Sequence, residues 1–148
     1  MNNKPKNSLE YSDPVIEQYS DNVVLDVMQQ KNDGDSSSKY ILIKHDYYSS
    51  DSAHGRQMLK SIFNVLEHSD FKNLIIYLVD KGTLLLDNNN PLFDSFQSLI
   101  PKSEMIIADD ESLTEYQVSC ELDSKISIQS FSSIAEDFVY LQNILILE

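Results

Sequence analysis

Carboxylates, hydroxyl groups and one histidine stand directly after the apolar runs of this chain, where they could take part in acid–base chemistry or hold a polar ligand. In an open α/β sheet the carboxyl ends of parallel strands share one edge, and ligands bind in the crevice outside that edge. We therefore predict a ligand-binding cleft built from the residues after the strands. The candidates are Asp46, Tyr47, Ser52, His54, Asp80, Lys81, Asp109, Asp110, Ser112 and Ser130.

One chemistry that these candidates could perform is magnesium binding. Asp46, Asp80 and the Asp109–Asp110 pair are similar to the acidic pocket of receiver domains, and carboxylate oxygens are the ligands that Mg²⁺ prefers. A phosphoacceptor site of that type also needs a lysine after a late strand, whereas Lys125 precedes its predicted strand. We therefore predict no metal.

A second chemistry is nucleophilic catalysis by Ser52, His54 and Asp80, but no Gly-x-Ser-x-Gly elbow supports a serine nucleophile. Asp and Ser directly before a helix are most often N-caps, which is the simpler interpretation of Asp109 or Asp110 and of Ser130. The three glycines are too far apart for a nucleotide-binding loop. We predict no cofactor.

The chain has a single cysteine, Cys120, which excludes an intramolecular disulfide and a multi-cysteine zinc site. Cys120 follows a predicted helix and precedes Glu121, a position that disfavours a thiolate anion. We predict a buried structural cysteine. The alternative is a nucleophile that carries sulfur.

The net charge and the hydropathy of the chain exclude some classes of binding partner. The sequence holds 24 acidic and 11 basic residues, for a formal net charge of −13, so its summed field repels nucleic acid and anionic lipid. No apolar run approaches the ~20 residues of a membrane span, and the polar N-terminus lacks the apolar segment of a secretory signal. We expect a cytoplasmic protein that binds neither nucleic acid nor membrane.

The elements that would position the candidates follow from hydrophobic periodicity. Short apolar runs predict five strands, at residues 40–43, 74–79, 105–108, 126–128 and 144–147. Between them we predict helices over 58–66, from Pro91 to Ile100 with Pro101 as the stop, from Asp109 or Asp110 to Tyr116, and after Ser130. This alternation predicts a three-layer α/β domain over residues 39–148, with a mostly parallel five-stranded open sheet and helices on both faces.

Residues 1–38 read as a flexible tail, a short segment and a polar linker. The segment at 13–30 has an apolar residue every fourth position, as in a helix, but its stretch Asn22–Met28 is rich in β-branched residues, as in a strand. Both interpretations stay open. We expect the segment to dock onto the main domain or onto an oligomer partner.

From Tyr40 to Leu147 the pattern resembles the DsrE/DsrF-like sulfur-relay family, and most closely the C-terminal domain of YedF-type proteins, which are linked to selenium metabolism. The resemblance rests on Gly55 before an apolar helix, on residues 78–86 (LVDKGTLLL), and on residues 106–116. It implies a DsrE-like fold, protein partners or self-association, and a homo-oligomer such as a trimer or hexamer.

Where the YedF branch carries two cysteines, this chain has Asp109 and Ser112, and neither oxygen-bearing side chain can hold a persulfide. The sequence therefore favours a non-catalytic binding or accessory module associated with sulfur or selenium metabolism. One alternative is a sulfurtransferase or sulfur carrier that uses Cys120. Another is a structural module that assembles oligomers through its N-terminal segment.

Overall fold

The computed structural model of the chain describes residues 38–121 and 123–148. Predictions for the tail, the 13–30 segment and most of the linker lie outside this range. Within it, strands and helices alternate as the hydrophobic pattern predicts, and the domain begins one residue earlier than expected because its first strand starts at Ser38. The strands are β1 (Ser38–Ile43), β2 (Asn73–Leu78), β3 (Ser103–Asp109), β4 (Ile126–Gln129) and β5 (Ile144–Leu147).

All five strands are parallel, in the order β4-β3-β2-β1-β5, which confirms the predicted α/β class. The chain moves stepwise from β1 out to β4 and then crosses the whole sheet to add β5 beside β1. Ile41 lies in register with Ile76 on one side and with Leu145 on the other. Because the strands are parallel, the residues that follow them all emerge at one edge of the sheet.

Helices cover both faces of the sheet unequally. The strands are joined by α1 (Ala53–Glu67), a 3₁₀ segment (Asp80–Leu86), α2 (Phe93–Gln97), α3 (Asp110–Glu115) and α4 (Phe131–Tyr140). The larger core lies on the face of Ile41 and Ile76 and receives Leu59 and Phe63 from α1 and Phe96 from α2. The rings of Phe63 and Phe96 meet edge to face, with centroids 5.7 Å apart. This face holds most of the buried apolar surface.

Among the elements of residues 38–121 and 123–148, α4 is the one that covers the opposite face. Ile134 is fully buried against Leu42, Tyr77 and Ile107. The Tyr77 hydroxyl donates a 2.9 Å hydrogen bond to Asp137 Oδ2 and so fastens the helix to the sheet. Burial, with a smaller effect of Asp137, raises the pKa of Tyr77. One ten-residue helix cannot cover five strands, so this face keeps exposed apolar residues.

The predicted helix from Pro91 to Ile100 is wrong in its bounds. Asn90 Oδ1 accepts a 2.8 Å hydrogen bond from the Leu92 N–H, which holds the chain in a turn, so α2 begins only at Phe93. At the other end, Pro101 lies inside a 3₁₀ turn, Ile100–Lys102, rather than after a continuous helix. The turn that the Asn90 side chain caps is therefore formed here in place of the first helical turn that the apolar periodicity predicts.

Gly82 permits a close approach between the 3₁₀ segment and β1. A Cβ atom at this position would lie 2.1 Å from the carbonyl oxygen of Ile43, at the end of β1. The 3₁₀ segment therefore packs directly on the β1 backbone, and it brings the residues that follow β2 close to those that follow β1. Of the helices in residues 38–121 and 123–148, none is long and apolar enough to cross a membrane.

Candidate functional site

The carboxyl edge of the sheet carries the predicted site residues in two separate groups. One group surrounds the end of β3, and the other surrounds the loop after β1. Each is held together by its own hydrogen bonds. Within the described residues, no hydrogen bond or ion pair joins the two.

The first group, which we call the Asp109–Ser112 cluster, consists of Asp80, Asp109, Ser112 and Tyr116. Asp109 is the N-cap of α3 and accepts hydrogen bonds through Oδ2 from the Ser112 backbone N–H at 3.2 Å and from its hydroxyl at 2.5 Å. The same Ser112 Oγ accepts a 2.8 Å hydrogen bond from the Asp80 N–H. The cluster thus ties the end of β2 to the end of β3.

Burial decides what this cluster can do. Asp109 is 5% exposed and Ser112 is 8% exposed, and the Ser112 hydroxyl is engaged both as donor and as acceptor. A nucleophile must be accessible to its substrate, whereas this hydroxyl is buried and uses both its donor and its acceptor in hydrogen bonds. Such a hydroxyl is suited to holding two loops together. Asp109 Oδ1 is buried without a hydrogen-bond partner among the described residues.

The outer part of the same cluster is a tyrosine–carboxylate pair. The Tyr116 hydroxyl donates a 2.5 Å hydrogen bond to Asp80 Oδ1, and this bond raises the pKa of Tyr116 to about 12. Asp80 has a positive φ of 51°, a conformation that non-glycine residues adopt uncommonly. The backbone bond to Ser112 and the side-chain bond to Tyr116 hold Asp80 in this conformation.

The second group, the Asp46 cluster, consists of Asp46, Tyr47, Asp51, Arg56 and Asn90. Asp46 is 6% exposed and accepts a 2.9 Å hydrogen bond from Asn90 Nδ2. Arg56 lies 3.8 Å from Asp46, donates a 2.7 Å hydrogen bond to Asp51, and sits 5.8 Å from the centre of the Tyr47 ring. The Asp51 hydrogen bond, followed by the charge of Asp46, raises the pKa of Arg56.

In this second cluster the Asp46 carboxylate is already paired with protein groups and is not open to solvent. Asp46 has a cation and an amide donor beside it, and the Tyr47 ring is stacked on His45 with centroids 4.7 Å apart. A half-exposed arginine that pairs with two carboxylates can exchange one of them for the carboxylate of a ligand. The cluster is therefore the more adaptable of the two.

Of the remaining candidates, Ser52 is bonded to the Asp46 cluster, because its carbonyl oxygen accepts a 3.2 Å hydrogen bond from the Arg56 guanidinium. Ser130 caps α4 by accepting from the Ser133 N–H at 3.3 Å, as the capping interpretation predicts. Ser52, which the sequence predicts as a cleft residue and not as a cap, caps α1 by accepting from the Gly55 N–H at 2.9 Å. His54, Lys81 and Asp110 make no side-chain hydrogen bond within the described part of the chain. Ser52 is engaged as a cap, and the geometry does not assemble a triad from Ser52, His54 and Asp80.

The acidic residues are also not arranged as a metal centre. Among residues 38–121 and 123–148, no group of three or more His, Cys, Asp or Glu side chains is placed to hold a metal ion. Asp80, Asp109 and Asp46 each bond to protein donors instead.

The prediction that Cys120 is buried is wrong. The thiol is half-buried, packs partly against the larger core, and lines a surface pocket of about 320 Å³ as well as a shallower depression beside α3. The reason is that β4 is an edge strand that helices do not fully cover, so the segment before it lies at the surface. The acidic side chains of Glu121 and Asp123 share the pocket with Cys120.

The cluster residues that the candidate list lacks are Tyr116, Asn90, Arg56 and Asp51. Asn90 bonds to a residue 44 positions away and Tyr116 to one 36 positions away, and no local spacing encodes such contacts. Arg56 carried a weak signal, since it stands one helical turn after Ser52 and five residues after Asp51.

Comparison with known proteins supports the fold alone. No family model matches the chain, and no curated protein matches it. Among solved structures it is similar to the crystal structure of the ychN protein from E. coli, with a TM-score of 0.50 and 9% sequence identity, over 74% of this chain and 99% of that chain. That protein has a DsrE-like fold, so the fold of the present chain is DsrE-like. An identity of 9% carries no activity with it.

Proposed function

We propose that this chain is a DsrE-like protein that works by binding, as an accessory module associated with sulfur or selenium metabolism, and does not transfer sulfur. The observation that carries the proposal is the Asp109–Ser112 cluster. At positions where the resemblance implies sulfur-carrying cysteines, the chain has an aspartate and a serine that are more than nine-tenths buried and bonded to each other. Oxygen cannot replace a thiolate as a carrier of sulfane sulfur.

The Asp46 cluster supports the binding half of the proposal. Arg56 is held at the sheet edge by Asp51 and Asp46, and its guanidinium lies near the Tyr47 ring. A planar guanidinium that is partly exposed and already oriented recognises carboxylate groups with two parallel hydrogen bonds. An acidic group of a protein partner or a small ligand is the chemistry that this edge can take.

The proposal is tested with the full chain and glutathione persulfide as sulfur donor. We expect the transfer of sulfur from the persulfide to cyanide, followed as thiocyanate, to proceed at the rate seen in buffer. An acceleration that disappears in Cys120→Ser would contradict the proposal and would favour the sulfurtransferase alternative.

The sulfurtransferase alternative has one observation in its favour, which is the partial exposure of Cys120 beside a pocket. Its surroundings oppose it, because a bound persulfide is anionic and Glu121 and Asp123 line the same pocket. The proposal of a silent binding module accounts for both features.

Self-association is a further proposed property, and the face of the sheet that α4 covers supports it. Met105 and Ile146 on this face are 40% and 46% exposed, and Val139 and Tyr140 at the end of α4 are 76% and 83% exposed. Exposed apolar residues gathered on one face are typical of protein interfaces. Light scattering on Tyr140→Glu, with Val65→Glu on α1 as the matched control, tests this: we expect only Tyr140→Glu to lower the mass.

A further inference from the structure

The pocket beside Cys120 has the size of a small-molecule site and lies beside the segments that lead into β3 and β4. It opens between the 3₁₀ segment and α2 on one side and the residues that lead into β4 on the other. Its volume is about 320 Å³, at the lower end of the range for sites that bind small molecules. It shares no lining residue with the Asp109–Ser112 cluster or the Asp46 cluster, so it stands independently of the proposed function.

The lining combines an apolar floor with an acidic rim. Leu86, Phe93, Ile100 and Ile126 supply the apolar surface, and Leu86 is only 2% exposed. At the rim stand two carboxylates and two amides, from Glu121, Asp123, Asn88 and Gln97. Apolar side chains with polar groups beside them can contact both ends of an amphipathic ligand.

In the described part of the chain, the two rim carboxylates form no ion pair with a lysine or arginine, and Asp123 Oδ1 accepts a 2.9 Å hydrogen bond from the Lys125 backbone N–H. Among the described residues, the ion pairs of Asp and Glu side chains with Lys and Arg involve Lys44 and Arg56, and neither Glu121 nor Asp123 takes part. Lys125, two residues after Asp123, instead directs its Nζ to the carbonyl oxygens of Ile100 and Pro101, at 3.2 and 3.3 Å.

Charge then selects the ligand. A carboxylate rim in a chain of net charge −13 repels anions and concentrates cations. The aromatic ring of Phe93 offers a second surface to a cation, and the apolar floor accommodates a hydrocarbon group. We propose that this pocket binds a small organic ammonium ion that carries an aromatic or aliphatic group.

The test compares three probes of one shape and different charge on the full chain: phenethylammonium, 2-phenylethanol and 3-phenylpropionate. We expect only the ammonium ion to give saturable shifts of backbone amide resonances, confined to residues 86–100 and 119–126. We also expect it to slow the alkylation of Cys120 by N-ethylmaleimide, a neutral reagent, at the same concentrations. Cys120 is the only thiol of the chain, so alkylation reports on the surroundings of this one residue.

A matched pair of variants separates the pocket from general charge. Glu121→Gln/Asp123→Asn removes the two rim carboxylates, and Glu136→Gln/Asp70→Asn removes the same charges from exposed positions outside the pocket. We expect at least a tenfold loss of ammonium affinity in the first variant and less than a twofold change in the second.

Equal affinity for the alcohol or the carboxylate would overturn the proposal, as would scattered, unsaturable shifts or equal loss in both variants. The three-probe comparison uses the unmodified chain and so holds even if a variant fails to fold.

Discussion

The substitution Ser112→Ala tests whether the Asp109–Ser112 cluster holds the sheet edge together. It removes the hydroxyl that donates to Asp109 Oδ2 and accepts from the Asp80 N–H, and it leaves a carboxylate that is 5% exposed with one backbone donor. A hydrogen bond to a charged group contributes about 1.5–3 kcal/mol, and the second bond contributes about 1 kcal/mol. We therefore expect the free energy of unfolding to fall by about 3 kcal/mol.

Urea unfolding followed by circular dichroism measures this loss. With a slope of about 1.5 kcal/mol per molar urea, a loss of about 3 kcal/mol moves the midpoint down by about 2 M. Ser132→Ala, at an exposed position in α4, is the matched control and should change stability by less than about 0.5 kcal/mol. If Ser112→Ala behaves like this control, the cluster is not a structural tie and the reasoning fails.

Three further substitutions test the geometry of the edge. Gly82→Ala should lower the free energy of unfolding, measured in urea, by about 3 kcal/mol, because the new Cβ would lie 2.1 Å from a carbonyl oxygen of β1. A loss below about 0.5 kcal/mol would contradict that packing. Asn90→Ala should cost about 2 kcal/mol by the same measurement, since Asp46 loses its amide donor and the turn loses its cap; no change would mean that the Asp46 cluster does not need it. The ultraviolet absorbance of the Tyr116 phenolate, identified as the signal that Tyr116→Phe removes, should appear with a pKa near 12. In Asp80→Asn the pKa of Tyr116 should fall to the ordinary tyrosine value of about 10. An unchanged pKa would show that the Asp80 carboxylate is not the cause.

The sign of the tyrosine effect fixes its pH window. The folded protein raises the pKa of Tyr116, so the folded state favours the neutral phenol. The stabilisation from its bond to Asp80 is therefore fully present below about pH 10 and is lost as the pH rises through about 12.

The fold could be predicted from sequence because its strands are short apolar runs, of which the central ones are largely buried. Runs such as Leu74–Leu78 are apolar at every position, which is typical of a central parallel strand, and the polar residues between them mark turns and caps. Asp109 and Ser130 act as the N-caps that their positions predict. Local signals of this kind survive folding unchanged.

The site could be predicted only in part, because its contacts join distant positions. The sequence placed Asp80 and Asp109 at one sheet edge, but the bond between Tyr116 and Asp80 depends on how α3 packs against the 3₁₀ segment. The exposure of Cys120 depends on β4 being an edge strand, which periodicity does not reveal. Strand order and side-chain pairing across the sheet edge are tertiary properties.

We propose that this chain binds a partner or ligand and does not carry sulfur. The most direct test is the rate at which Cys120 forms a persulfide with glutathione persulfide, measured by mass spectrometry. The reference is Ser132→Cys in a Cys120→Ser background, which places the lone thiol at an exposed helical position. We predict that Cys120 takes up sulfur no faster than this reference, because Glu121 and Asp123 line the same pocket and disfavour a thiolate anion. Uptake tenfold faster than the reference, followed by transfer to an acceptor thiol, would contradict the account.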